Sequence, residues 1–295
     1  MIPVIDSHHH IWRQADMPWL MGPMQPRICG LYEAIRRDYL MPEYLCDLAG
    51  LGVTRSVYVQ ANWPAERFED EVAWVQRAAD ETGWPHAIVS YADFLSDDLR
   101  PQLDRLARYP LMRGLRMQLH WHENPQYRFA ARTDLALDPK LQRNIARLAE
   151  YGWVFDLQVF ARQMAGAAEL AAACPGVTFV LQHAGMLEDL TPGGRSAWAA
   201  GMKQMARHPN VVCKLSGLGT FIHRNEAAHI REIVAASVGL FGAGRCLFGS
   251  NFPIEKLWTS YADLIAAYRA AIEELPVSDQ RAILHDTAAN IYRIN

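Results

Sequence analysis

Two histidines with one residue between them, His8 and His10, follow the short apolar run Val4-Ile5 near the start of the chain. In extended backbone, side chains two apart point the same way. Both imidazoles can therefore reach one ion or one substrate, with Asp6 on the same parity, while His9 points away and packs. A third histidine, His183, closes the run Val180-Leu181-Gln182, and Gly185 lets the chain turn sharply behind it. Alone, His183 reads equally as a satisfied core histidine; sharing a face with His8 and His10 moves it into a site. Arg116, Gln118, His120 and His122 alternate along another run. A buried Arg116 needs an anion, and a structural ion pair and a fork for a substrate carboxylate are both open. Asp156 and Gln158, Lys214 and Ser216, Ser250 and Asn251, Asn62 and Asp93 also fall at the ends of apolar runs.

The elements that must position these groups repeat in type rather than in sequence. Short β-rich runs occur at Val4–Asp6, Ser56–Gln60, His86–Tyr91, Gly114–Leu119, Val154–Val159, Thr178–Gln182, Val211–Leu215 and Cys246–Gly249, eight in all. Between them apolar residues recur at helical spacing: Val72, Val75, Ala79; Leu99, Leu103, Leu106; Leu141, Ile145, Leu148. Arg162–Ala173, Arg195–Arg207, Ala227–Leu240 and Tyr261–Leu275 continue the alternation, Asp138 caps a helix opening at Pro139, and a last helix spans about Ser278–Tyr292. Strands alternating with helices imply parallel pairing through right-handed crossovers. Eight units in one chain predict a closed (β/α)₈ barrel of the α/β class rather than an open sheet, whose Gly-rich phosphate turn is replaced here by His8-His9-His10. No linker divides residues 1–295, so one domain is expected. All the polar residues above then sit at strand C-termini, where barrels place their chemistry. Two long connections, Ile11 to about Arg37 and Trp121 to Leu137, fall on the same face; long loops are often functional. Trp12, Trp19, Trp63, Trp121 and Trp258 lie on loops after strands and suggest an aromatic rim for a sugar or planar ring; packing against helices, as for Trp74, is the other use of such residues.

The 29 basic and 32 acidic residues give a net charge of -3, which offers no reason to expect nucleic acid or an anionic membrane as partner. A small-molecule substrate is expected; a homo-oligomer stays open. Five scattered cysteines form no CxxC, and Cys213 and Cys246 read as buried reduced thiols, which suits a reducing compartment. No basic segment followed by a long apolar one opens the chain, so a cytoplasmic protein without a signal peptide is expected.

The ordered set Ile5-Asp6-Ser7-His8-His9-His10-Ile11-Trp12, Arg113-Gly114-Leu115-Arg116, Phe155-Asp156-Leu157-Gln158, Leu181-Gln182-His183-Ala184-Gly185, Lys214-Leu215-Ser216-Gly217 and Phe248-Gly249-Ser250-Asn251-Phe252-Pro253 resembles the amidohydrolase superfamily over nearly the whole chain. More narrowly it resembles the metal-dependent barrel hydrolases that include sugar-acid lactonases and muconolactone or pyrone lactonases. The resemblance implies hydrolysis of a lactone of a sugar acid or related carboxylate. It makes His8, His10 and His183 the ligands of one zinc-type divalent metal and Arg116 a contact for the substrate carboxylate; Gln158, His120 and Trp12 are expected as further substrate contacts from their places at the mouth. Strand eight departs from the pattern, with Asn251 where the superfamily has the aspartate that binds metal and takes the proton of the attacking water. A carboxamide is no base near pH 7. His183 and Asn251 then remain as catalytic groups, with Glu123, Asp93 or His120 as a replacement base. A binuclear site is not expected, and metal-free catalysis is the alternative to a single ion. Decarboxylation or lactone isomerisation on the same barrel, and a binding barrel without catalysis, are the competing readings.

Overall fold

The computed structural model describes residues 2–294. Eight strands pair in parallel in chain order: β1 (Val4–His9), β2 (Val53–Val59), β3 (Ala87–Ser90), β4 (Met112–Leu115), β5 (Val154–Leu157), β6 (Phe179–Leu181), β7 (Val211–Leu215) and β8 (Cys246–Phe248). The barrel closes at its C-terminal end, where Asn251 N donates to His8 O at 2.7 Å and His10 N to Phe252 O at 2.8 Å. The expected barrel is therefore present. Strand four begins at Met112 and ends at Leu115, earlier at both ends than the expected 114–119. Arg116 N still donates to Ser90 O at 2.7 Å, so the alternation carries on past the strand's end.

Every second strand residue points inward. Ile5, Val57, Val59, Val89, Val154, Val180, Val212 and Leu247 fill the barrel and are buried together with Ala288, Tyr292 and Ile294, which close it from the C-terminal segment. The opposite strand faces pack on the helices. Phe68–Thr82 buries Val72, Val75 and Ala79 and stops at Gly83, whose φ of 78° only glycine adopts without cost. Asp138 caps Pro139–Ala146 by accepting from Lys140 N and Leu141 N, as the sequence implied. The closing helix is continuous from Val277 to Tyr292 but widens into a π turn over Ala282–Asp286. Among the described residues no helix is long and apolar enough to cross a membrane.

Candidate active site

The polar groups of the site divide at a bulge in β1. Asp6 pairs with Ser56 and His9 with Tyr58, so three steps on β1 match two on β2. One extra residue reverses parity. Asp6 consequently does not face the mouth with His8 and His10, contrary to the expectation from spacing. It points outward with His9, accepting from Tyr44 OH at 2.8 Å and Tyr261 OH at 3.0 Å. Ser250 goes with it, its hydroxyl donating to Asp6 Oδ2 at 2.6 Å, so Ser250 ties β8 to β1 rather than facing the mouth. His9 stacks on Tyr44 with centroids 4.0 Å apart, as a packing residue.

His8, His10 and His183 come together as expected: the His8 ring centroid lies 5.0 Å from that of His10 and 4.9 Å from that of His183. His10 and His183 line the cavity, while His8 is fully buried and does not line its wall. His10 Nδ1 lies 2.7 Å from Val59 O, an acceptor, so Nδ1 carries the proton and Nε2, beside the Asn251 carboxamide, is unprotonated. His183 Nδ1 lies 2.9 Å from Ser216 Oγ. Among the described residues, neither ring nitrogen of His8 has a hydrogen-bond partner. All three rings are neutral at pH 7. Burial, then the charge of Arg116, lowers His10 to about 3. Burial, followed by Lys214 for His8 and by Arg116 for His183, holds these two well below the usual imidazole value.

His183 and Asn251 reach the mouth through backbone that few L residues adopt. Their φ values are 53° and 57°, and Ala184 and Met186 follow at 46° and 54°. Such conformations cost on the order of 1–3 kcal/mol each and concentrate at functional sites. Trp198 Nε1 fixes the first turn by donating to Ala184 O at 2.8 Å.

Below the histidines lies a charged layer. Lys214 Nζ donates to Ser7 O at 2.9 Å and pairs with Asp156 Oδ2 at 3.0 Å, both side chains fully buried. Tyr292 OH donates to the other Asp156 oxygen at 3.2 Å. Arg116 is also buried; Nη2 donates to Gln60 O at 2.6 Å, and among the described residues Nε has no partner. Burial lowers Arg116 to about 10, against the pull of Asp156 and Glu71, so it stays charged at neutral pH. No carboxylate pairs directly with Arg116 among the ion pairs of the described residues. That leaves its free edge for a ligand.

The cavity has a volume of about 160 Å³ and opens to solvent. Arg116, Gln118, His120 and Gln158 form one side, and His10, His183, Gly217 and Asn251 the other. Both long loops roof it, the first with Trp12, Trp19, Arg27 and Cys29, the second with Gln126, Arg128 and Phe129. Burial, then Arg116, lowers His120 to about 3, so it too is neutral. Glu123 lies elsewhere: its exposed carboxylate pairs with Arg162 at 2.8 Å and does not line the cavity. Asp93 is likewise absent from the wall, its Oδ1 accepting from Leu95 N at 3.0 Å. Arg132 is bound to Asp134 and Asp138. The aromatic rim is smaller than expected, because Trp63 and Trp121 are absent from the wall and Trp258 bonds Glu255 at 2.9 Å. Phe129, Phe221, Met186 and Cys29 line the cavity and were missed; none sits at a strand end or at a position spacing would flag.

The donors have the chemistry to take one divalent ion. They are neutral imidazoles, and two unpartnered nitrogens on buried His8 are costly without a ligand. Asn251 brings no charge to the site, and Lys214 Nζ is already paired with Asp156. In the arrangement described, no group of three His, Cys, Asp or Glu side chains is set to hold an ion. Asn251's carboxamide bonds the His10 ring instead.

Residues 5–294 match the amidohydrolase family, and the chain belongs to it. It is 34% identical over 295 residues to the uncharacterized protein y4mH of Sinorhizobium fredii, with 99% of each chain covered. It is 31% identical over 309 residues to an L-fucono-1,5-lactonase of Burkholderia multivorans, covering 98% of this chain and 96% of that one. A solved structure of an amidohydrolase from Burkholderia multivorans with bound zinc superposes with a TM-score of 0.83 at 29% identity, covering 99% and 100% of the two chains. The protein is an amidohydrolase-type enzyme on a (β/α)₈ barrel.

Proposed function

We propose that the protein hydrolyses a lactone of a sugar acid or related carboxylate. The observation that carries this is the pairing, in one cavity, of neutral His10 and His183 with the free edge of buried Arg116. A ligand whose carboxylate or ring hydroxyls meet Arg116, Gln118 and Gln158 presents its carbonyl toward the histidines. The similarity to an L-fucono-1,5-lactonase supports the same class.

In hydrolysis the water oxygen bonds the carbonyl carbon, the ring C–O bond breaks, and the ring oxygen takes a proton to become a hydroxyl. With no ion bound, unprotonated His10 Nε2 accepts from the reacting water, and His183 Nε2 faces the reacting oxygens. Asn251 orients water or substrate, His120 and Gln158 hold hydroxyls, and Trp12 and Trp19 cover a ring face and exclude water. His8, His10 and His183 would hold a single divalent cation, which would polarise the carbonyl and acidify bound water. Five unpaired cysteines support work in a reducing compartment, the cytoplasm.

The test is purified protein assayed against 1,4- and 1,5-lactones of aldonic acids and muconate-type lactones, with metal content measured alongside. Ring opening of one lactone class at enzymatic rates supports the reading. Turnover of none, alongside decarboxylation of an aryl or sugar carboxylate, overturns it.

A further inference from the structure

One helical turn beyond Asn251, a carboxyl group faces back toward the mouth. Glu255 is 1% exposed. Its Oε1 accepts from Thr220 Oγ1 at 3.1 Å, its Oε2 accepts from Trp258 Nε1 at 2.9 Å, and the Asn251 side chain bonds it as well. These partners are all neutral. Thr220 and Asn251 both line the cavity. Gly219 makes room, because a Cβ there would lie 2.9 Å from Glu255 Oε2 and 2.7 Å from Trp258 Nε1. Burial raises the Glu255 carboxyl to about 7, against the three hydrogen bonds that lower it. The titratable groups facing it from neighbouring elements are the Cys29 thiol on the first roof loop and the Tyr268 phenol on the helix Tyr261–Ile272. Burial raises both above their usual values, so neither ionises near neutrality. Among the described residues this buried carboxyl has no counter-ion; it lies one hydroxyl away from a cavity with an asparagine at the end of strand eight, and its packing requires no charge.

We propose that Glu255 is the site's proton-holding residue, exchanging a proton with the reacting water through the Thr220 hydroxyl. This rests on the lactone-hydrolase reading. As water's oxygen bonds the carbonyl carbon, its proton passes to Thr220 Oγ1 while the Thr220 proton passes to Glu255 Oε1. When the ring C–O bond breaks, the proton returns by the same route to the ring oxygen, restoring Thr220 and the Glu255 carboxylate. Glu255 acts through Thr220 rather than on the substrate, so it is a positioning residue for the proton.

Glu255→Gln keeps size and hydrogen bonding but cannot take a proton. Its kcat is expected to fall about 10²-fold at pH 8, the lower range for a proton-transfer group, and the rise of kcat with pH through about 7 is expected to vanish. Thr220→Val should cause a similar loss, Thr220→Ser should restore activity, and the double variant Glu255→Gln, Thr220→Val should be no slower than either single one. An unchanged pH profile in a folded Glu255→Gln protein overturns the proposal, as does additive loss in the double variant. If no lactone is turned over, the functional reading has failed separately, and infrared titration decides the rest. A carboxyl band missing in Glu255→Gln, titrating near neutral pH and shifted by Thr220→Val, supports the linkage. A Glu255 band that stays in one protonation state from pH 5 to 9, or ignores Thr220, overturns it.

Discussion

Gly217, at the turn after β7, is where the positions of His183 and Asn251 depend on a missing methyl group. A Cβ at this position would lie 2.7 Å from His183 Nδ1, 3.2 Å from its Cε1 and 3.1 Å from Asn251 Nδ2. The glycine φ of 60° adds a backbone cost for alanine of about 1–2 kcal/mol. His183 cannot simply turn away, because Nδ1 is held 2.9 Å from Ser216 Oγ. In Gly217→Ala the imidazole must retreat by roughly half an ångström, straining a hydrogen bond worth about 1 kcal/mol. Together these give about 2–3 kcal/mol of lost stability, a fall in Tm of roughly 4–12 °C at the 2–4 °C per kcal/mol typical of large domains. The effect on chemistry is expected to be larger, because misplacing a reacting group by 1 Å can cost about 10²-fold. The assay is kcat/KM on the lactone turned over, with thermal unfolding in parallel, and Gly239→Ala as control, since nothing lies within 4 Å of the Cβ there. A folded Gly217→Ala protein with kcat/KM within twofold of the parent would refute the claim that this contact sets the histidine.

Arg116→Lys should raise KM or lower kcat/KM about 10- to 100-fold, matching loss of a charge-assisted bond of about 1.5–3 kcal/mol, because an ammonium cannot form the planar fork; equal activity toward acidic and neutral lactones in both proteins would count against a carboxylate contact. Asn251→Asp should retain more zinc after dialysis than the parent, since it adds charge beside His10, and two tightly held ions in the parent would contradict the single-ion reading. Asp156→Asn leaves Lys214 buried without a carboxylate and should cost about 3–5 kcal/mol in urea unfolding; a loss under 1 kcal/mol would mean that Ser7 O and the face of the Tyr292 ring, 5.1 Å from Nζ, suffice. Below about pH 6.5 the unfolded chain protonates His120, while the folded ring stays neutral down to about 3. Stability should therefore fall across that window as acid is added. His8, His10 and His183 contribute to the same fall, so His120→Gln should remove one proton's share of the slope, and an unchanged slope would show that His120 contributes none of it.

The barrel and its histidines were legible because their signals are periodic. Inward strand positions read Val154, Asp156, Gln158 and Val212, Lys214, Ser216, apolar at the bottom and polar at the top, and the structure keeps that parity. The same rule failed at Asp6, because a bulge leaves no mark in composition: Asp6-Ser7-His8 reads as regular alternation until the β2 partner is known. It failed at Ser250 for the related reason that its partner, Asp6, lies 244 residues away. Glu123 looked suited to catalysis because it ends a polar run on a long loop, yet loop residues have no fixed parity, and Arg162 takes its charge in solvent.

Glu255 escaped notice for the opposite reason. In Pro253-Ile254-Glu255-Lys256 it reads as an ordinary charged helix start, and Lys256 is indeed at the surface, paired with Glu43 and Asp47. What sets Glu255 apart is the left-handed step at Asn251, which redirects the chain so that the next turn folds its carboxyl under Thr220 and Gly219. Asn tolerates φ of 57° better than most residues because its short polar side chain bonds locally, and here it bonds both His10 and Glu255. An aspartate at this position would set a second carboxylate against Glu255, and like charges in so dry a site cannot both stay ionised. The asparagine and the buried glutamate are thus one arrangement: the neutral residue at the strand end is what allows a single carboxyl one turn later to hold the charge. Asn251→Asp should accordingly raise the titration of the pair above that of Glu255 alone, readable from the same infrared band. An unshifted band would separate the two residues and leave Asn251 as a turn residue only.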